Sequence, residues 1–181
     1  IIMSRPDRSW GTTKKEIRGL KVIAANISHV GILLVQNPTT SCEFIDKWIA
    51  SSKASNIEPF IINNKIDVDI SDEYLEKVSL YKNIGIKIFN ISAKENIGLK
   101  DLIEYLENKC TIFVGNSGAG KSTLTSMLTG IDIKTKDLSN NQGRHTTSIS
   151  SLYKLSNNIE IIDSPGVRDV PIEGLSKKEI T

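Results

Sequence analysis

Residues Gly115-Asn116-Ser117-Gly118-Ala119-Gly120-Lys121-Ser122 have the form GxxxxGK[ST], and Thr123 extends the motif. Glycines at those positions let consecutive backbone N–H groups converge on phosphate oxygens. The lysine adds a point charge for the terminal phosphates, and the hydroxyl after it can ligate Mg²⁺. Asn64-Lys65-Ile66-Asp67 carries a different chemistry. The Asp67 carboxylate can accept two hydrogen bonds, from the N1–H and the exocyclic amino group of guanine. Adenine offers no such pair and would leave the charge unsatisfied. Lys65 can lay its stem along the base, and Asn64 can tie its own loop to the phosphate loop. Ser92-Ala93-Lys94 is less specific: it offers mainly a backbone N–H for guanine O6, and alone it is equally a surface turn. Asp163-Ser164-Pro165-Gly166 is a DxxG in which Asp163 can hold Mg²⁺ through water and the Gly166 N–H can sense a γ-phosphate. By itself it could also be a type I or II turn.

The order of the four motifs narrows the reading. In an ordinary small GTPase the phosphate loop and DxxG precede NKxD and SAK; here they follow. The chain therefore looks like a circularly permuted GTPase. Gly143-Arg144-His145-Thr146-Thr147 then falls where the first switch should lie, and one of Thr146 and Thr147 should reach Mg²⁺ when GTP is bound. Val167 follows the DxxG glycine, where many GTPases have a water-orienting Gln. An apolar side chain cannot orient water, whereas His145 has protonation and hydrogen bonding suited to that task. A solvated loop histidine is the alternative. His29, at a strand start among apolar residues, reads as structural.

These residues need a scaffold that delivers them together. Val30–Val35 is a continuous apolar run and reads as a buried strand. Thr40 with Glu43 forms a capping-box pattern ahead of Phe44, Ile45, Trp48 and Ile49 at helical spacing. Phe60-Ile61-Ile62 reads as the strand that delivers Asn64, and Ser71 as the cap of the next helix. Ile84–Ile91 reads as a strand ending at Ser92, and Leu99, Leu102, Ile103 and Leu106 mark a helix. Thr111–Val114 runs straight into the glycine loop, which opens a helix bearing Leu124, Met127 and Leu128. Strands at Ser151–Leu155 and Ile159–Ile162 are joined by a tight Asn157-Asn158 turn. The alternation predicts a three-layer α/β fold with a six-stranded, mostly parallel sheet and every motif at a strand C-terminus.

With 181 residues, 39% hydrophobic, the chain has room for one substantial core. A net charge of +2 does not by itself argue for nucleic acid. The excess sits near the start, where Arg5, Arg8, Lys14, Lys15, Arg18 and Lys21 face only Asp7 and Glu16. A solvated face is the plain reading; an RNA-contacting edge is the functional one. Cys42 and Cys110 have no metal-ligand spacing and read as small buried thiols. No apolar run is long enough to span a bilayer. The expectation is a cytoplasmic protein, monomeric and without a membrane partner.

Motif order, Gly-Asn-Ser-Gly-Ala-Gly-Lys-Ser-Thr, Gly-Arg-His-Thr-Thr and Asp-Ser-Pro-Gly-Val-Arg together resemble the RsgA family, also called YjeQ or EngC. The resemblance implies a permuted GTPase acting in late maturation of the small ribosomal subunit, with hydrolysis stimulated by that subunit, rRNA as a contact and His145 as the catalytic histidine. It also implies that residues 1–28 are the end of an N-terminal OB-type barrel with its linker, and that 29–181 are the GTPase domain. The family's C-terminal zinc module has no counterpart here, so zinc belongs to that module and not to this chain. Two alternatives stand beside this reading: a permuted GTPase of large-subunit assembly, and a nucleotide-gated RNA-binding module whose hydrolysis is incidental.

Overall fold

The computed structural model describes residues 2–6, 20–131 and 151–163. Strands β1 (Ile2–Pro6) and β2 (Leu20–Ala25) pair antiparallel as a two-stranded ribbon. From residue 29 the chain alternates β3 (His29–Leu34), α1 (Cys42–Ala54), β4 (Glu58–Asn64), α2 (Asp72–Asn83), β5 (Lys87–Ile91), α3 (Leu99–Leu106), β6 (Cys110–Val114), α4 (Lys121–Thr129), β7 (Ser151–Lys154) and β8 (Glu160–Asp163). Six of these strands form one sheet in the order β5-β4-β3-β6-β8-β7, parallel except for β7.

Two apolar clusters cover the two faces. Phe44, Ile45 and Trp48 of α1 with Tyr74 and Tyr81 of α2 pack one face, and Leu99, Leu102 and Leu106 of α3 with Leu124 of α4 pack the other. A central strand buried on both faces must be apolar throughout, which is why β3 reads as an unbroken run rather than an alternation. Its Gly31 has a packing reason: a Cβ there would lie 2.9 Å from both the Phe113 and the Phe60 rings.

The topology determines where ligands can go. From β3 the chain moves outward through α1 to β4; from β6 it leaves in the other direction toward β8. β3 and β6 are adjacent, so the strand order reverses between them, and the crevice beyond their C-terminal ends is the expected ligand position in an open α/β sheet. The loops that follow β3 and β6 are residues 35–41 and 115–120.

Three local expectations are corrected. The cap of α1 is Ser41, whose hydroxyl accepts from the Phe44 N–H at 3.2 Å. Thr40 is instead buried, accepting from the Val35 N–H at 3.1 Å while its own N–H donates to the Val35 carbonyl. With two hydroxyl residues in a row, the inward one closes the loop and the outward one caps the helix. β5 begins at Lys87 rather than Ile84, because α2 closes through Gly85 N–H to Lys82 O and Ile86 N–H to Tyr81 O, a Schellman pattern that uses up the intervening residues. Cys42 is exposed on the first turn of α1, not buried. Cys110 is half-buried, and burial first, then the Glu160 carboxylate, pushes its thiol upward from the ordinary range.

The β7–β8 connection has both Asn157 and Asn158 at positive φ, 56° and 52°, the conformation of a type I′ hairpin turn. No helix among the described residues is long and apolar enough to cross a membrane.

Candidate functional site

Asn64 ends β4 and is 3% exposed. Its Nδ2 donates to the Ala119 carbonyl at 3.0 Å, and its Oδ1 accepts from the Ala93 N–H at 3.0 Å. One buried amide therefore joins the NKxD loop, the SAK turn and the phosphate loop. Burial makes both bonds valuable, since losing either would leave a buried backbone group unpaired.

The glycines of the phosphate loop are required by this arrangement. Gly120 has φ +94°, and a Cβ on it would lie 2.4 Å from Asn64 Nδ2. Any other residue there would be strained in its backbone and would displace the amide. The loop leads into α4, whose first residues are Lys121, Ser122 and Thr123. The Lys121 ammonium lies over the loop, donating to the Gly115 carbonyl at 2.5 Å and the Asn116 carbonyl at 3.1 Å. Ser117 and Gly118 are exposed at the tip of the loop, and Ala119 is buried beneath it.

Asp67 is exposed, and its carboxyl lies below the usual carboxylate range. The main cause is a hydrogen bond from the Ser92 hydroxyl, with smaller help from Lys94 and Lys65. Ser92 is fully buried, and its Oγ also accepts from the Glu95 N–H at 3.1 Å. Lys94 points to solvent and pairs with Glu95 at 2.9 Å. Lys65, at φ +68°, donates from Nζ to the Asn37 carbonyl at 2.8 Å. Asp163 ends β8 at 6% exposure, level in the ladder with Phe113 of β6, two residues before the phosphate loop.

Of the sequence-predicted residues, the structure gathers Asn64, Lys65, Asp67, Ser92, Ala93 and Lys94 with the phosphate loop, and sets Asp163 on the strand beside it. His145, Thr146, Thr147 and Gly166 lie outside the described residues. Among the described residues, no three His, Cys, Asp or Glu side chains converge as a metal-binding group.

The 36–40 loop carries contacts that composition did not reveal. Besides Asn37, it brings Pro38 against the phosphate loop, where a Cβ on Gly118 would sit 3.3 Å from the Pro38 ring. Gln36 Oε1 accepts from the Ser71 N–H at 2.8 Å, and Lys77 donates to the Thr40 carbonyl. The available signal was topological: the loop follows the strand adjacent to the phosphate-loop strand.

The profile of the family described as RsgA GTPase matches residues 5–173. The small ribosomal subunit biogenesis GTPase RsgA of Flavobacterium psychrophilum is 37% identical over 169 residues, which are 90% of this chain and 52% of that protein. The crystal structure of YjeQ from Thermotoga maritima is similar with a TM-score of 0.69 at 22% identity, covering 99% of this chain and 56% of that one. YloQ, described as a circularly permuted GTPase, is similar with a TM-score of 0.62 at 22% identity, covering 91% and 52%. The chain thus spans about half the length of the relatives it matches. The two solved structures establish the fold, a mostly parallel α/β sheet of the circularly permuted GTPase type.

Proposed function

The chain belongs to the RsgA GTPase family, and on that premise we propose that it binds guanine nucleotides with Mg²⁺ and hydrolyses GTP during maturation of the small ribosomal subunit. The observation that carries the nucleotide part is the position of Asn64, whose amide bonds to Ala119 on one side and Ala93 on the other. A base-reading turn and a phosphate-reading loop are thereby held as one cradle. Asp67 reads the guanine N1–H and amino group. The Ala93 N–H is engaged by Asn64, so the Lys94 N–H, next in the same turn, is the donor for guanine O6. Gly115 to Gly120 wrap the phosphates with backbone N–H groups, and Lys121 turns from the loop carbonyls to the terminal phosphates.

The donor chemistry fits Mg²⁺: a hydroxyl at Ser122, a single buried carboxylate at Asp163, and phosphate oxygens, all hard oxygen ligands. When bound, the ion neutralises charge on the β- and γ-phosphates. One of Thr146 and Thr147 would complete its ligands, Gly166 would sense the γ-phosphate, and His145 would orient the attacking water; these three roles rest on motif alone.

The small-subunit part rests on the family and on the name of the Flavobacterium psychrophilum relative. The subunit and its rRNA are the partners of this reading, and the cytoplasm is the compartment. The antiparallel β1–β2 ribbon supports taking residues 1–28 as the end of an OB-type barrel.

Single-turnover hydrolysis with and without purified small subunits tests the proposal. Slow intrinsic turnover, stimulation by the small but not the large subunit, and a loss of about 10²–10⁴-fold in His145→Ala are expected. Equal binding of ATP and GTP would overturn the guanine assignment, and equal rates in the wild type and His145→Ala would remove the histidine from catalysis.

A further inference from the structure

We infer that Gln36 is a positioning residue for guanine discrimination, acting by clamping the downstream half of the loop that carries Asp67. The inference rests on the nucleotide reading above.

The Asp67 loop is anchored well on its upstream side. Asn64 is bonded to two other loops, and the Ile66 N–H donates to the Ile91 carbonyl at 3.2 Å. Downstream the situation differs. Asp67, Val68 and Asp69 are all exposed, and Val68 N–H to Lys65 O, at 3.4 Å, is a long bond inside the turn itself. Ser92 bonds the Asp67 carboxylate, but among the described residues it is Gln36 whose side chain reaches the backbone of this stretch from outside. Its Nε2 donates to the Asp69 carbonyl at 3.4 Å, and its Oε1 accepts from the Ser71 N–H at 2.8 Å and the Ser71 hydroxyl at 3.3 Å. One carboxamide thus holds the loop two and four residues beyond Asp67 from a neighbouring strand end. Among the described residues, Gln36 hydrogen-bonds only Asp69, Ser71 and Thr39, none of them assigned to nucleotide, so it acts through Asp67.

The geometry also fits Gln over its relatives. Both functional atoms of the amide are used, one as donor and one as acceptor. An apolar side chain of the same length supplies neither, and Asn is one methylene too short to span the same gap. Without the clamp the Asp67 carboxylate keeps its Ser92 bond but loses a fixed backbone beneath it. A carboxylate must meet two donors at once in order to read guanine, and that paired geometry is what a loosened backbone forfeits.

The discriminating readout is the ratio of GDP to IDP affinity. Inosine lacks the 2-amino group, so the ratio isolates what Asp67 reads there, while damage to the phosphate loop or to folding weakens both nucleotides alike. Gln36→Met should lower the ratio by about threefold to tenfold, the effect of one hydrogen bond's worth of alignment, with IDP affinity falling by less than GDP affinity because hypoxanthine keeps only the N1–H for Asp67 to accept. Gln36→Asn should lower it similarly, and it decides the matter if the Met variant does not fold. A wild-type ratio near one would overturn the guanine reading on which the inference stands. A clear wild-type preference that survives unchanged in the folded variant overturns the role of Gln36 alone.

Discussion

At Asp67 the proposed chemistry turns on a single carboxylate. Its ionised form is favoured by the Ser92 hydroxyl, so it is a charged acceptor throughout the neutral range. Asp67→Asn keeps the shape and inverts part of the hydrogen bonding, because an amide can donate to the 2-oxo group of xanthine but cannot accept two guanine donors. A loss of about 2–4 kcal/mol, or roughly 30- to 1000-fold in GDP affinity, should accompany a gain for XDP. Competition between labelled GDP and XDP measures both. Gly120 makes a second prediction with a different origin. Alanine there pays for a φ of +94° and pushes a methyl to within 2.4 Å of the Asn64 amide. Gly120→Ala should destabilise the fold by about 1–3 kcal/mol in urea unfolding and abolish tight GDP binding. Normal binding in the alanine variant would show that the loop does not need this backbone.

Helices and strands explain why some of this could be read in advance and some could not. The buried strands β3, β4 and β6 announce themselves as apolar runs because both of their faces are covered, and their C-terminal ends locate the loops that matter. Asn64 was legible as a tie to the phosphate loop because its neighbours Lys65 and Asp67 define the motif. Gln36 was not, since its meaning lies in Ser71, 35 residues away, and nothing local marks the pair. The start of β5 was misread because Ile84 and Ile86 look like strand residues, although the backbone between them closes α2. His29, at the start of β3, illustrates the same dependence on packing. It lies edge-on to Tyr105 of α3, with ring centroids 5.6 Å apart, and its Nδ1 is 2.8 Å from the Ser28 hydroxyl. Burial first, and then Lys109, holds its pKa below 6.5. As pH falls through 6.5, the unfolded chain takes up a proton that the folded chain refuses, so stability should decline until the lowered folded pKa is reached and then level off. Unfolding midpoints measured from pH 7.5 to pH 5 should show this slope in the wild type, and a reduced one in His29→Gln. An identical slope in the variant would assign the effect to other groups.

Across the whole molecule, the rotated motif order leaves the three-dimensional cradle intact by placing β6 between β3 and β8. The half that carries NKxD and SAK precedes the phosphate loop in the chain, and one side chain bridges the two. Asn64 reaches Ala119 across 55 residues and Ala93 across 29. Such a bridge should transmit order, because a ligand that stiffens one loop restrains the amide that holds the others. Inorganic pyrophosphate isolates this effect: it can occupy the phosphate loop but has no base for Asp67 to read. Hydrogen exchange on the wild type should therefore show pyrophosphate slowing residues 115–123 strongly and residues 92–94 to a lesser degree, with GDP slowing both. In Asn64→Ala the Ala93 N–H loses its acceptor and the Ala119 carbonyl its donor. Pyrophosphate should then protect 115–123 alone, while the two turns exchange independently. If pyrophosphate still slows residues 92–94 in that variant as it does in the wild type, the connection between the two halves does not run through Asn64. A lack of protection at 115–123 in the wild type would instead place the phosphates somewhere other than this loop.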